Sequence, residues 1–206
     1  YHVKLVEPGG SGFRDVTGLV QTMSWSGDVR QIARALSVGL AVPRDGSVET
    51  PNLAEGAALI LEQAGKPRFT GQLTQCTTSS QTAVADLSAL DGGRFLAGNE
   101  GFYRFDGVTP EAAVTAMCRD FGVQTGNLAH TGITVRRKFP GMALDKIIST
   151  LYTLAGEQTG RRYLPRITGD GRLEVVEKAD AASMEIVQTM GVTNSWGIER
   201  LCNSVA

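Results

Sequence analysis

The groups that could do chemistry are few, and their spacing assembles none of the familiar catalytic sets. The sequence holds two histidines, His2 at the start and His130 in a stretch of loop composition, and neither has a nucleophile or acid patterned around it as a hydrolytic triad requires. His130 therefore reads as a loop residue and not as a general base. Asp15, Asp28, Asp45, Asp86, Asp91 and Asp106 could supply the carboxylate pair of glycoside cleavage. Most of them stand beside glycine or at the ends of strand-like runs, where turn and capping roles account for them. Cys76, Cys118 and Cys202 are odd in number, widely spaced and free of any CxxC pair, which argues against a disulfide framework or a zinc site. They read as reduced, buried thiols. Gly9-Gly10-Ser11-Gly12 lacks the helix and lysine that follow a phosphate loop and reads as a flexible connection. No catalytic, cofactor-binding or metal-binding residue is assigned.

Two basic clusters, Arg136-Arg137-Lys138 and Arg161-Arg162, could in principle track DNA. They have no interleaved aromatics, and twenty basic residues against twenty-one acidic ones leave a formal charge of -1. Solvated faces or subunit salt bridges fit better, and the balance excludes a general nucleic-acid or membrane-surface binder. Trp25 and Trp196 could stack on sugars, but their matching strand contexts favour core or inter-barrel anchors.

The elements that must position these groups are mostly strands. From Arg34 to Val42 the odd positions Ala35, Ser37, Gly39 and Ala41 are small, while Leu36, Val38, Leu40 and Val42 are aliphatic, a period of two that no helical stripe can hold. One face of that strand is apolar and the other bare. A bare face lets a neighbouring backbone approach closely, whereas a pocket would carry long polar groups. Further strands are expected at His2–Val6, Val16–Trp25, Ala57–Gln63, Arg68–Gln75 and about Thr82–Leu87, with a turn at Gly65-Lys66-Pro67. Six strands suffice for a small barrel.

After Ala89 the period changes. Thr109-Pro110-Glu111 is an N-cap, a proline at the first helical position and an acid in the first turn. A helix is expected near 109–121, with Met117, Cys118 and Phe121 on its core stripe and a stop at Gly122. A second is expected near 142–159, with Leu144, Ile147, Ile148, Leu151, Tyr152 and Ala155 inward and Gly160 ending it. Gly132–Phe139 reads as a strand, and Tyr163–Ile167 with Arg172–Glu177 as a hairpin around Gly169-Asp170-Gly171. At 206 residues and 42% hydrophobic content the chain can bury more than one core. It has no run of 18 apolar residues and no signal-peptide pattern. Opening on Tyr1 and closing inside the strand-like Leu201–Ala206, it reads as a piece of a longer protein.

Three ordered blocks carry a family resemblance: DVTGLVQTMSWSGDVRQIARALSVGLAVPRDG, GFYRFDGVTPEAAVTAMCRDFGVQTGNLAHTGI and LDKIISTLYTLAGEQTGRRYLPRITGDGRLEVVEKAD. Together, over roughly Asp15 to Asp180, they resemble the tail hub proteins of PBSX-like prophages, which are similar to the T-even central hub and late control protein D. The resemblance implies a mainly β fold with an α+β insertion. Residues 1–89 would form a first tube-like β-barrel, 90–180 a mixed module with two helices, and 181–206 the first strands of a second barrel. Ser195-Trp196, Glu199-Arg200 and Ser204-Val205 echo Ser24-Trp25, Asp28 with Arg30, and Ser37-Val38, and the echo falls where that second barrel should begin.

The implied function is a structural baseplate hub of a phage tail or tailocin, located in the virion and assembled in the host bacterial cytoplasm. A homotrimer with two barrels per subunit would present six near-equivalent barrels to a hexameric tail tube and a threefold face to the spike. Partners would be the tail tube protein, the spike protein and other baseplate proteins, with no membrane and DNA only as passing cargo. Such a protein is no enzyme and needs no cofactor. Trp25, Asp28, Arg30, Gly39 and Trp196 are the expected interface residues. The rival readings are a tail-associated peptidoglycan hydrolase and a surface-glycan-binding module.

Overall fold

The computed structural model describes residues 1–10, 12–28, 31–42, 51–54, 56–78 and 83–178, with the backbone of 189–190 and 201–202. The chain forms two compact units. The first comprises Tyr1–Gly27, Arg34–Asp91 and Ile186–Ala206, and the second comprises Asp28–Ala33 and Gly92–Glu185.

The first unit is built on β1 (His2–Val6), β2 (Arg14–Asp15), β3 (Val20–Gly27), β4 (Arg34–Ala41), β5 (Ala58–Gln63), β6 (Lys66–Thr78) and β7 (Val84–Asp91). They make one antiparallel sheet, ordered β2-β1-β5-β6-β7-β4-β3 and curled into a half-barrel. The alternation expected of β4 is present: Leu36, Val38 and Leu40 are buried in the core, and Ser37 is exposed on the other face. On β6, Phe69 and Leu73 join that core while Gln72 and Thr74 face water. The β5–β6 turn lies at Ala64-Gly65, both with positive φ (49° and 74°), one residue earlier than expected. That pair has the handedness that matches strand twist in a two-residue hairpin, so β6 starts at Lys66. The two-residue β2 is an element the composition does not announce.

The second unit holds α1 (Gly93–Gly98), β8 (Glu100–Val108), α2 (Pro110–Asp120), β9 (Thr125–Leu128), β10 (Val135–Ala143), α3 (Leu144–Thr159), β11 (Tyr163–Ile167) and β12 (Leu173–Glu177). β8 and β10 pair as an antiparallel ribbon, and β11-β12-β9 form a small sheet in which β12 and β9 run parallel. The Thr109 side chain accepts the Ala112 N–H, with Pro110 in the first turn. Gly122, at φ 67°, donates to the Arg119 carbonyl while Val123 donates to that of Cys118, the paired bonds of a Schellman stop. All six residues expected on the inward stripe of α3 are buried, and Gly160 ends the helix in the left-handed region.

Two expectations fail. Phe121 is 41% exposed because it caps α2 instead of continuing its stripe. Cys76 is exposed, on the end of β6 where Thr74–Thr78 all face solvent, while Cys118 is buried. Finally, β13 (Thr189–Met190) and β14 (Leu201–Cys202) pair antiparallel. Among the described residues no helix is long and apolar enough to cross a membrane.

Candidate functional site

The bare face of β4 continues onto its neighbours, because antiparallel register puts like-facing residues in rungs across the sheet. One rung reads Thr22, Gly39, Asp86, Thr77 from β3 through β4 and β7 to β6, and the next reads Ser24, Ser37, Ser88, Gln75. Thr22, Ser24, Ser37 and Asp86 are exposed, and with Gly39 they line an open depression. Gly39 is its floor. A Cβ there would lie 2.5 Å from Thr22 Oγ1 and 3.4 Å from Asp86 Oδ1, so the two flanking side chains already occupy the space a larger residue would need. The surface offers hydroxyls, amides and a single carboxylate. It can hydrogen-bond and admit another backbone closely, and among the described residues no acid or base is paired with Asp86 there.

The other expected interface residues are dispersed. Trp25 on β3 faces the opposite side of the sheet from Gly39 and packs against the core of the first unit. The Arg34 guanidinium carbon stands 5.4 Å from its ring centroid, and the Trp25 Nε1 is buried with no hydrogen-bond acceptor among the described residues. Asp28 is exposed just beyond β3, and its carbonyl accepts the Gln31 N–H. Arg30 and Trp196 lie outside the described residues.

Sequence reasoning missed the group that holds Arg34. Asp91, only 1% exposed, accepts the Arg34 backbone N–H at 3.1 Å and its Nε at 3.0 Å. The two residues end β7 and begin β4, side by side in the sheet. Asp91-Gly92 reads as a turn in sequence, and no local spacing links residues 57 apart.

A second polar constellation lies in the other unit. His130 Nδ1 is 2.6 Å from Glu111 Oε1, an ion pair when the imidazole is protonated, and the Thr131 hydroxyl donates to Glu111 Oε2 at 3.1 Å. Tyr152 donates to the Ala129 carbonyl at 3.2 Å, and burial first, then the nearby Glu111 charge, pushes its phenol pKa up. Both His130 and Thr131 converge on the carboxylate. The hydroxyl is not presented to the imidazole, so the nucleophile–imidazole–acid order of a triad is not assembled. What the geometry does is latch the loop from Ala129 to Ile133 onto the first turn of α2, where a carboxylate is favoured by the helix dipole. Among the described residues no three His, Cys, Asp or Glu side chains converge as metal ligands would.

Comparisons with known proteins agree with one another. A family model described as YQBQ-like matches residues 23–200. The phage-like element PBSX protein XkdQ of Bacillus subtilis (strain 168) is 25% identical over 148 residues, covering 70% of this chain and 44% of that protein. The uncharacterized protein YqbQ of the same strain is 22% identical over 174 residues, covering 83% and 52%. Among solved structures, the 43 kDa tail protein of prophage MuSo2 from Shewanella oneidensis superposes with a TM-score of 0.65 at 13% identity, over 85% of this chain and 52% of that one. The tail protein from Neisseria meningitidis MC58 gives 0.63 at 16%, over 84% and 49%. At these identities the structural likeness is one of fold. The chain spans about half the length of the relatives it matches.

Proposed function

The chain belongs to the YQBQ-like family, and from that premise we propose that it is a structural component of a phage-type tail, acting as the baseplate hub between tail tube and spike. The observation that carries this reading is the first unit itself: a curled half-barrel sheet with a bare outward face, in a fold shared over some 85% of the chain with a prophage tail protein. A half-barrel that offers hydroxyls and a glycine floor, with no acid–base pair beside them among the described residues, suits contact between subunits better than turnover.

The hub function follows from symmetry. A trimer whose subunits each carry two related barrels gives six similar edges to a sixfold tube and a threefold face to a spike, with no chemistry required. In this reading 181–206 opens the second barrel, and the Trp25, Asp28, Gly39 region belongs to the subunit interface together with Arg30 and Trp196. The partners are tube, spike and other baseplate chains in the virion, assembled in the host cytoplasm, with DNA passing through the lumen. Negative-stain imaging of the full-length protein tests it. A three-subunit ring with six lobes is expected, and a monomer or a ring of any other order overturns the hub assignment. A zymogram on bacterial cell walls tests the absence of catalysis: clearing by the purified chain would sink it.

A further inference from the structure

We infer that the outward face of the β8–β10 ribbon is a docking surface for an acidic protein segment that also carries an apolar side chain. The antiparallel register sets three cross-strand pairs on that face: Phe102 with Pro140, Arg104 with Lys138, and Asp106 with Arg136. The opposite face of the ribbon buries Phe105 and Phe139 in the second unit's core, so the outer pairs cannot turn inward without inverting the strands.

The first pair is an apolar platform. Phe102 is 80% exposed, by far the wettest large hydrophobic side chain described. Its ring lies over Gly141, 3.1 Å from where a Cβ of that residue would stand. With φ at 69° that glycine is in the left-handed region, a backbone conformation that favours glycine. An exposed aromatic with only two side-chain torsions is a common anchor of a protein interface, since little conformational entropy is lost when a partner covers it.

The next two pairs supply charge. Arg104 and Arg136 are 69% and 82% exposed, and Lys138 lies between them on the same face, three cations against the carboxylates of Asp106 and, at the far side of Phe102 on β8, Glu100. Arg136 Nε is 2.6 Å from Asp106 and Arg104 is 3.9 Å from it, while Lys138 has no ion-pair partner among the described residues. Same-face residues on a strand repeat about every 7 Å, so the face asks for one apolar group and then carboxylates at that spacing. An extended segment with same-face order apolar, acid, acid fits.

Nucleic acid fits less well. Asp106 stands in the middle of the basic row, where it would oppose a phosphate, and the platform has a single aromatic ring with no second one to stack the next base. The surface needs only the geometry of this ribbon and does not depend on the tail assignment.

The test is retention of the whole chain on a matrix carrying the peptide Leu-Ser-Glu-Ser-Glu at high density, at low salt and again at high salt. The wild type should be retained and released by salt, and a Leu-Ser-Lys-Ser-Lys matrix should not hold it. Phe102→Ser and Lys138→Glu should each weaken retention about tenfold, while Arg172→Glu, a charge reversal on a distant turn, should not. All are exposed positions, and thermal unfolding confirms that the variants fold. Three outcomes would overturn the inference: no retention of wild type, equal loss in Arg172→Glu, or tighter retention on duplex DNA that ignores Phe102→Ser. Self-association abolished by Lys138→Glu would also overturn it, by assigning the face to a second copy.

Discussion

Gly39→Trp puts a large ring on the bare face of β4, and the structure allows its two effects to be estimated separately. Within the fold, the new Cβ meets Thr22 Oγ1 at 2.5 Å, so Thr22 must leave its rotamer. Thr22 is exposed, and a displaced χ1 costs about 1 kcal/mol. Against this, removing a glycine from a strand interior recovers about 0.5–1 kcal/mol. The folded unit should therefore change stability by less than about 1 kcal/mol. Contact across that face is another matter. An indole standing on the floor of the depression keeps any second backbone away, and the loss of a close-packed contact of this kind costs at least about 3 kcal/mol, a hundredfold in affinity. The measurement is urea unfolding of the variant beside sedimentation of full-length protein, with Gly71→Ala as a contrasting control. At Gly71 a Cβ would meet the Phe69 ring and the Leu90 carbonyl oxygen at 2.7 Å, and a backbone atom in a sheet cannot step aside. That substitution should cost about 1–3 kcal/mol in folding. Normal assembly by Gly39→Trp would refute the interface, and a folding loss equal to that of Gly71→Ala would refute the rotamer argument.

Other consequences can be measured on the same protein. Asp91→Ala strands a backbone N–H and a guanidinium that are largely out of water, and should cost about 3 kcal/mol in urea unfolding followed by Trp25 fluorescence, against less than about 1 for Asp170→Ala in an exposed pair. Gly122→Ala forces a Cβ into the left-handed stop of α2 and should lower stability by about 1 kcal/mol, seen as a lower unfolding midpoint. Alkylation mapped by mass spectrometry should modify Cys76 in the native protein, faster as pH rises because burial pushes its thiol up, and should spare Cys118, which is buried and pushed up to about 11. Burial, and then its hydrogen bond to Asp120, raise the Tyr103 phenol to about 12, so the folded state holds that proton more tightly than the unfolded chain. Its contribution to stability is present below pH of about 10 and is lost as pH rises from there through about 12. Tyr103→Phe should flatten that part of the unfolding-versus-pH curve.

Much of the fold is legible because its periods are strong. Strand β4 shows its two faces in eight residues, since alternation of small and aliphatic side chains admits one register against the core. The ends of α2 are written in Thr109-Pro110 and Gly122, whose backbone preferences act locally and survive any tertiary setting. What stays hidden depends on contacts made elsewhere. Helix α1 is six residues bounded by glycine, with no capping side chain, and owes its place to Leu96 in the core. β8 carries a period of two, but Phe102 sits on its wet face, so counting hydrophobics gives an unbroken Phe-Tyr and Phe pattern with no obvious inside. Cys76 looks like a core thiol by residue type and lies on a strand end that has run past the core.

The two surfaces differ in the physics they would use, and that difference separates them experimentally. The face around Gly39 has one carboxylate among hydroxyls, so contact there rests on shape and on short-range hydrogen bonds. The β8–β10 ribbon sets three cations beside two acids, Glu100 and Asp106, so contact there rests largely on charge. Screening shortens the reach of exposed charges from about 10 Å at 0.1 M salt to about 3 Å at 1 M. An assembly held at the β4 face should therefore persist through that range while a partner on the ribbon dissociates. If both contacts weakened in parallel, the bare face would be working through Asp86 and not through the absence of a side chain at Gly39, and the steric account of that strand would have to be replaced by an electrostatic one.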